Sequence, residues 1–148
     1  MNNLEWKPNI RSVDGKEQIL CEWRHKWVRL TPEEWVRQNV LHRLVEDAGY
    51  PMTLIAVEHP IQVAQTSKRC DAVVMDGQLL PVCIVEFKAD DVSLTQKVFD
   101  QVAVYNRAVR VRYFIISNGI TTYACKLNNK SYDFLETLPS YTQLCQKE

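Results

Sequence analysis

RCDAVVMDGQLLPVCIVEFKA, residues 69–89, holds two apolar runs with charges at their ends. Asp71 opens the first run and is followed by Ala72-Val73-Val74. Val82-Cys83-Ile84-Val85 leads into Glu86, Phe87 and Lys88. Asp76-Gly77 between them is a turn signal, so the two runs predict a hairpin. The second run is almost continuously apolar, as expected of a central strand. Glu86 and Lys88 are two residues apart and point to one face, while Phe87 points the other way into the core. An antiparallel pairing could bring Asp71 near Glu86.

Two carboxylates close together in an apolar setting repel each other and raise their own pKa values. A divalent cation removes that problem, and magnesium needs only one or two carboxylates. Such a cation lowers the pKa of a bound water and stabilises charge on a phosphoryl oxygen. Lys88 on the same face could orient or deprotonate the attacking water, or neutralise developing charge. The bland alternative is a surface ion pair. Polar groups at the ends of buried strands favour a site.

The flanking sequence supplies two helices. Thr31-Pro32-Glu33-Glu34 carries a cap, a first-position proline and two acids suited to a helix start. Val36, Val40, Leu41, Leu44, Val45 and Ala48 follow at helical spacing, and Gly49 and Pro51 stop the helix. Glu33 and Arg37 lie four apart at the edge of its apolar arc. Glu33 could pair with Arg37 or reach the carboxylate site, and Glu34 competes for that inward place. Leu94 to Val109 predicts the second helix. Gln101 and Tyr105, four apart, share one face and suit a phosphate or a metal-bound water. Asp100 and Asn106 fall on other faces and are expected in solvent.

Ile10–Val13 and Lys16–Cys21 read as a hairpin around Asp14-Gly15, with a further apolar patch at Trp27, Val28 and Leu30. Leu54 to Val57 predicts a strand ending at Glu58, which could lie near the site or simply face water, the second being the favoured expectation. Arg112–Ser117 and Thr121–Leu127 predict two more strands, and the tail a strand and a short helix. The order gives an α/β or α+β class, a mixed central β-sheet flanked by helices.

Among 148 residues, 46% are hydrophobic and 24% charged, which suits one globular domain over residues 1–148. No signal-peptide pattern or membrane-length apolar run is visible, so the expectation is a cytoplasmic protein without a membrane partner. Five cysteines without a CxxC pair argue against zinc fingers and iron–sulfur clusters, and for reduced, buried thiols. With 18 basic and 18 acidic residues, any DNA contact must use local patches. Arg24, His25, Lys26 and Arg29 form one candidate, and Arg107, Arg110 and Arg112 another.

Asp71 with Glu86-Phe87-Lys88 resembles the core of the PD-(D/E)xK nuclease superfamily, and Gln101 with Tyr105 the QxxxY helix of one branch. More specifically, TPEEWVRQNVLHRLVEDAGYP, KRCDAVVMD, VCIVEFKA, FDQVAVYN and VRYFIISNG resemble the N-terminal nuclease domain of type I restriction enzyme R subunits. The resemblance runs from Thr31 to Gly119. It implies a restriction-endonuclease-like fold with an N-terminal β-hairpin extension over 1–30, a nuclease core over 31–127 and a tail over 128–148 that packs on the core. It implies that Asp71, Glu86 and the Phe87 carbonyl bind Mg2+, with Mn2+ as a substitute. Lys88 would be the catalytic lysine, assisted by Gln101 and Tyr105. Glu33 would be the first-helix glutamate, because Glu33, Arg37 and Gly49-Tyr50 match the family layout.

Cys70 stands where the family name has proline, and the P-loop pattern GxxxxGK[ST] of a helicase motor is absent. The expectation is therefore a Mg-dependent DNA endonuclease-like protein. It could act alone, as a homodimer, or with motor or specificity subunits of a restriction or repair complex. The alternative is a non-catalytic nucleic-acid-binding or assembly module that keeps the fold.

Overall fold

Thr31 closes the opening strands and starts the longest helix. Its hydroxyl accepts a hydrogen bond from Glu34 N at 3.0 Å, Pro32 takes the first helical position, and Gly49 ends the helix with φ +75°. In this computed structural model, which describes residues 5–128 and 131–147, that helix is α1 (Pro32–Ala48).

Ahead of it, β1 (Ile10–Val13), β2 (Lys16–Cys21) and β3 (Lys26–Arg29) form an antiparallel sheet in chain order. The expected hairpin gains a third strand from the patch at Trp27 and Val28. Asp14 and Gly15 both have positive φ, as a tight two-residue turn requires.

The main sheet has six strands in chain order: β4 (Ile55–Val63), β5 (Thr66–Met75), β6 (Pro81–Phe87), β7 (Tyr113–Ser117), β8 (Thr122–Asn128) and β9 (Ser131–Phe134). β6 and β7 are parallel, and the other neighbours are antiparallel. A parallel pair needs a long crossover, and α2 (Gln96–Val109) supplies it. One face packs on Val36, Val40, Leu41 and Leu44 of α1 and on Leu144 of α3 (Tyr141–Cys145). The other packs on Val98, Phe99, Val102 and Tyr105 of α2. The fold is thus the expected mixed sheet with helices on both sides. The expected tail strand and short helix are β9 and α3. Tyr50 Oη donates to Pro139 O at 2.7 Å and Tyr141 Oη to Met75 O at 2.8 Å, which ties the tail to the core.

The largest difference from the sequence reading lies at β4 and β5. β4 does not end at Glu58 but runs on through Pro60 to Val63, and β5 begins four residues before Cys70. Pro60 is tolerated because β4 is an edge strand. All five cysteines are free, and all but Cys145 are buried. No helix among the described residues is long and apolar enough to cross a membrane.

Candidate active site

The register of β5 and β6 decides where the charges meet. Ala72 pairs with Val85, so one step further Asp71 stands opposite Glu86. Asp71 Oδ2 accepts a hydrogen bond from Phe87 N at 2.8 Å, which pins its carboxylate across the strand end. Phe87 itself is fully buried on the α1 face. Glu86 shares the face of Ile84, which α2 covers.

Glu86 is only 3% exposed, and its Oε2 has no hydrogen-bond partner. Burial above all, then the charge of Asp71, pushes its carboxyl up to about 9, with Lys88 opposing. A buried, orphaned carboxylate oxygen beside a second carboxylate is a place a divalent cation fits. Among the described residues no group of three or more His, Cys, Asp or Glu is placed to hold a metal ion.

Lys88 follows on the same face as Glu86. Its amide donates to Ser117 O at 3.0 Å, extending the strand pairing beyond Phe87. Its Nζ donates to Gln101 Oε1 at 3.4 Å, and Gln101 Nε2 donates to Tyr105 Oη at 2.8 Å. The two α2 residues thus share one face, as their spacing predicts, and that face meets Lys88. Burial first, and then the charge of Glu86, raises the Tyr105 hydroxyl, with Gln101 opposing. Asp100 is exposed, but Asn106 is not free in solvent. Its Oδ1 accepts from Val111 N at 2.7 Å beyond the helix end.

Glu33 and Glu34 part ways. Glu33 is half-buried, and burial, then the charge of Asp71, raises its carboxyl while Lys88 and Arg37 oppose. It therefore lies within electrostatic reach of the site. Glu34 points instead into a buried cluster. It accepts from Arg24 Nη2 at 2.5 Å and from Gln38 Nε2 at 2.8 Å. Of the two alternatives for Glu33, the ion pair with Arg37 is not formed among the described residues. Arg37 lies within 3.6–3.7 Å of Glu34, Glu58 and Asp71 instead.

Sequence reasoning missed this cluster. Arg24, expected in a basic surface patch, is drawn inward by Glu34 and is 14% exposed. Glu58, expected to face water, keeps 37% of its side chain exposed but also sits among Arg24, Arg37 and Arg69 at 3.6–3.7 Å. No local pattern signals either, because the turn between β2 and β3, α1 and β4 meet only in the fold. In the second patch, Arg112 donates to the Gln146 carbonyl. A cleft of about 520 Å³ is lined by Arg29, Thr31, Glu33, Arg37, Glu58 and Ala89 among others; Asp71, Glu86 and Lys88 are not in its wall.

A mixed sheet with a carboxylate pair and a lysine at one strand end defines a restriction-endonuclease-like fold. A solved structure shares it: a candidate nuclease belonging to DUF820 from Anabaena variabilis ATCC 29413, with a TM-score of 0.51 and 10% identity over 86% of this chain and 83% of that one. At that identity the likeness speaks for the fold alone. The family described as "Type I restriction enzyme R protein N terminus" matches residues 32–139, and the chain belongs to that family. None of the curated proteins matches the sequence.

Proposed function

We propose that this protein is a Mg2+-dependent nuclease that hydrolyses phosphodiester bonds in DNA through a PD-(D/E)xK site. One observation carries the reading: Asp71 and Glu86 face each other across β5 and β6, with Lys88 beside them tied to Gln101 and Tyr105. Family membership supports it.

Asp71, Glu86 and the Phe87 carbonyl would hold the cation. When bound, it supplies positive charge to the phosphoryl oxygens and eases ionisation of water. The protein's own residues do the rest. Lys88 Nζ, steered by Gln101, hydrogen-bonds the attacking water or the phosphoryl oxygen on which charge develops. Tyr105 fixes the Gln101 amide, so that its oxygen faces Lys88. Glu33 stands on the α1 side, within electrostatic reach of Asp71 and Lys88. The water oxygen bonds to phosphorus, the phosphorus–oxygen ester bond breaks, and the leaving oxygen takes up a proton. Such a domain would act on DNA together with other subunits of a restriction complex.

The test is plasmid nicking with Mg2+ or Mn2+, comparing wild type with Asp71→Ala and Lys88→Ala. The proposal expects cleavage by wild type and a loss of at least about 100-fold in each variant, the scale of removing one transition-state donor. Equal activity in all three proteins, or none in any of them, would refute it.

A further inference from the structure

We propose that Glu58 is a positioning residue for Asp71, acting through Arg37. The inference rests on the reading of Asp71 and Glu86 as a cation site.

Three observations converge on Glu58. Val57 pairs with Ala72 and His59 with Cys70, which sets Glu58 opposite Asp71, and the ladder skips both. Glu58 has φ +53° in mid-strand, a conformation that side chains other than glycine rarely adopt. Such backbone persists only where the surroundings enforce it, and it gathers at functional sites. Here the surroundings are three arginines, with Arg24 Nη1 at 3.7 Å, Arg37 Nη1 at 3.6 Å and Arg69 Nη1 at 3.7 Å.

Arg37 is the link. Its Nη1 lies 3.6 Å from Glu58 Oε1, and its Nη2 lies 3.6 Å from Asp71 Oδ1. Both contacts are ion pairs too long for a hydrogen bond. Its Nε and Nη1 are buried without a hydrogen-bond partner. A buried guanidinium beside a carboxylate normally closes into a two-pronged fork. Glu58 on one side and Glu34 on the other hold Arg37 short of that closure. Asp71 therefore keeps Oδ2 for Phe87 N, and its Oδ1 meets Arg37 beyond hydrogen-bond distance. Without the charge of Glu58, Arg37 closes on Asp71 and competes with the cation for its oxygen.

The experiment titrates Mn2+ into the full chain and follows the free ion by electron paramagnetic resonance. It compares wild type with Glu58→Gln, Glu58→Asp, Arg37→Met and the Glu58→Gln/Arg37→Met double variant. Replacing partners of metal ligands costs about 10- to 100-fold in affinity. A loss on that scale is expected for Glu58→Gln, with partial recovery in Glu58→Asp. In the Arg37→Met background, Glu58→Gln is expected to change nothing further. Affinity unchanged in Glu58→Gln, or the same loss with Arg37 absent, overturns the inference while leaving the cation site standing. Failure of wild type itself to bind Mn2+ overturns the site reading, and this inference with it. If Arg37→Met does not fold, the contrast between Glu58→Gln and Glu58→Asp decides alone, since a carboxylate one methylene shorter restores affinity only if the charge matters.

Discussion

Replacing Glu86 with glutamine should stabilise the metal-free protein, and more so as pH rises. Glu86 is 3% exposed, and burial with the neighbouring Asp71 charge lifts its carboxyl from 4.5 to about 9. Because the folded value is raised, the fold loses nothing from this group below about pH 4.5, where the unfolded chain is protonated too. Between about 4.5 and about 9 the unfolded chain releases a proton that the fold retains, so wild-type stability falls with pH. At pH 8 the gap is about 3.5 pH units, and at about 1.4 kcal/mol each the ceiling is about 5 kcal/mol. Movement of Asp71 and water penetration relieve much of that strain, leaving about 1–2 kcal/mol to be measured. For a chain of this size that corresponds to a rise of about 3–8 °C in Tm. Glutamine has nearly the volume of glutamic acid and can donate to Asp71 without charge. Thermal unfolding by circular dichroism in EDTA at pH 5 and pH 8 should give nearly coincident curves at pH 5 and a higher Tm for Glu86→Gln at pH 8. Parallel pH profiles for the two proteins, or a variant less stable at pH 8, would refute the reasoning.

Four further outcomes follow from other parts of the structure. Glu34→Ala leaves Arg24 and Arg37 buried with a partner missing, and urea unfolding should show a loss of about 3 kcal/mol. Glu33→Ala should cost under about 0.5 kcal/mol in the same assay while lowering DNA cleavage. His42 stacks on Trp6 at 3.9 Å, and burial lowers its pKa to about 4. Its folded value is depressed, so its stabilisation is complete above about 6.5 and lost as pH falls towards about 4. Unfolding scans should show that His42→Gln flattens this part of the acid limb. Tyr105→Phe removes the hydroxyl that holds Gln101, and slackening Lys88 should lower the single-turnover cleavage rate by about 10-fold without a comparable change in DNA affinity.

The elements legible in the sequence are those with local signals. Thr31, Pro32 and Gly49 bracket α1, and the apolar run from Val82 to Val85 marks the central strand β6. The pairing of Asp71 with Glu86 could be anticipated because Asp76-Gly77 limits how the two strands turn. The extended hairpin of β4 and β5 could not. Its turn carries no Gly, Asn or Asp, and Ala64 takes positive φ there instead. Pro60 and Glu58 read as an ending, though an edge strand accepts the proline and surrounding arginines accept the glutamate. The choice between Glu33 and Glu34 was also open, because neighbours on a helix differ by about 100° and the apolar arc has a soft edge. What separates them is Arg24, ten residues upstream, which meets Glu34 only after β3 has folded back.

The central claim is that Asp71 and Glu86 together hold a divalent cation. Its most direct test is anomalous diffraction from a crystal of the protein soaked in Mn2+ above pH 7. The account predicts one peak between the two carboxylates, about 2.1 Å from an oxygen of each. A saturated soak with no peak there, or with Lys88 or Arg37 nitrogens filling the place between Asp71 and Glu86, would contradict it.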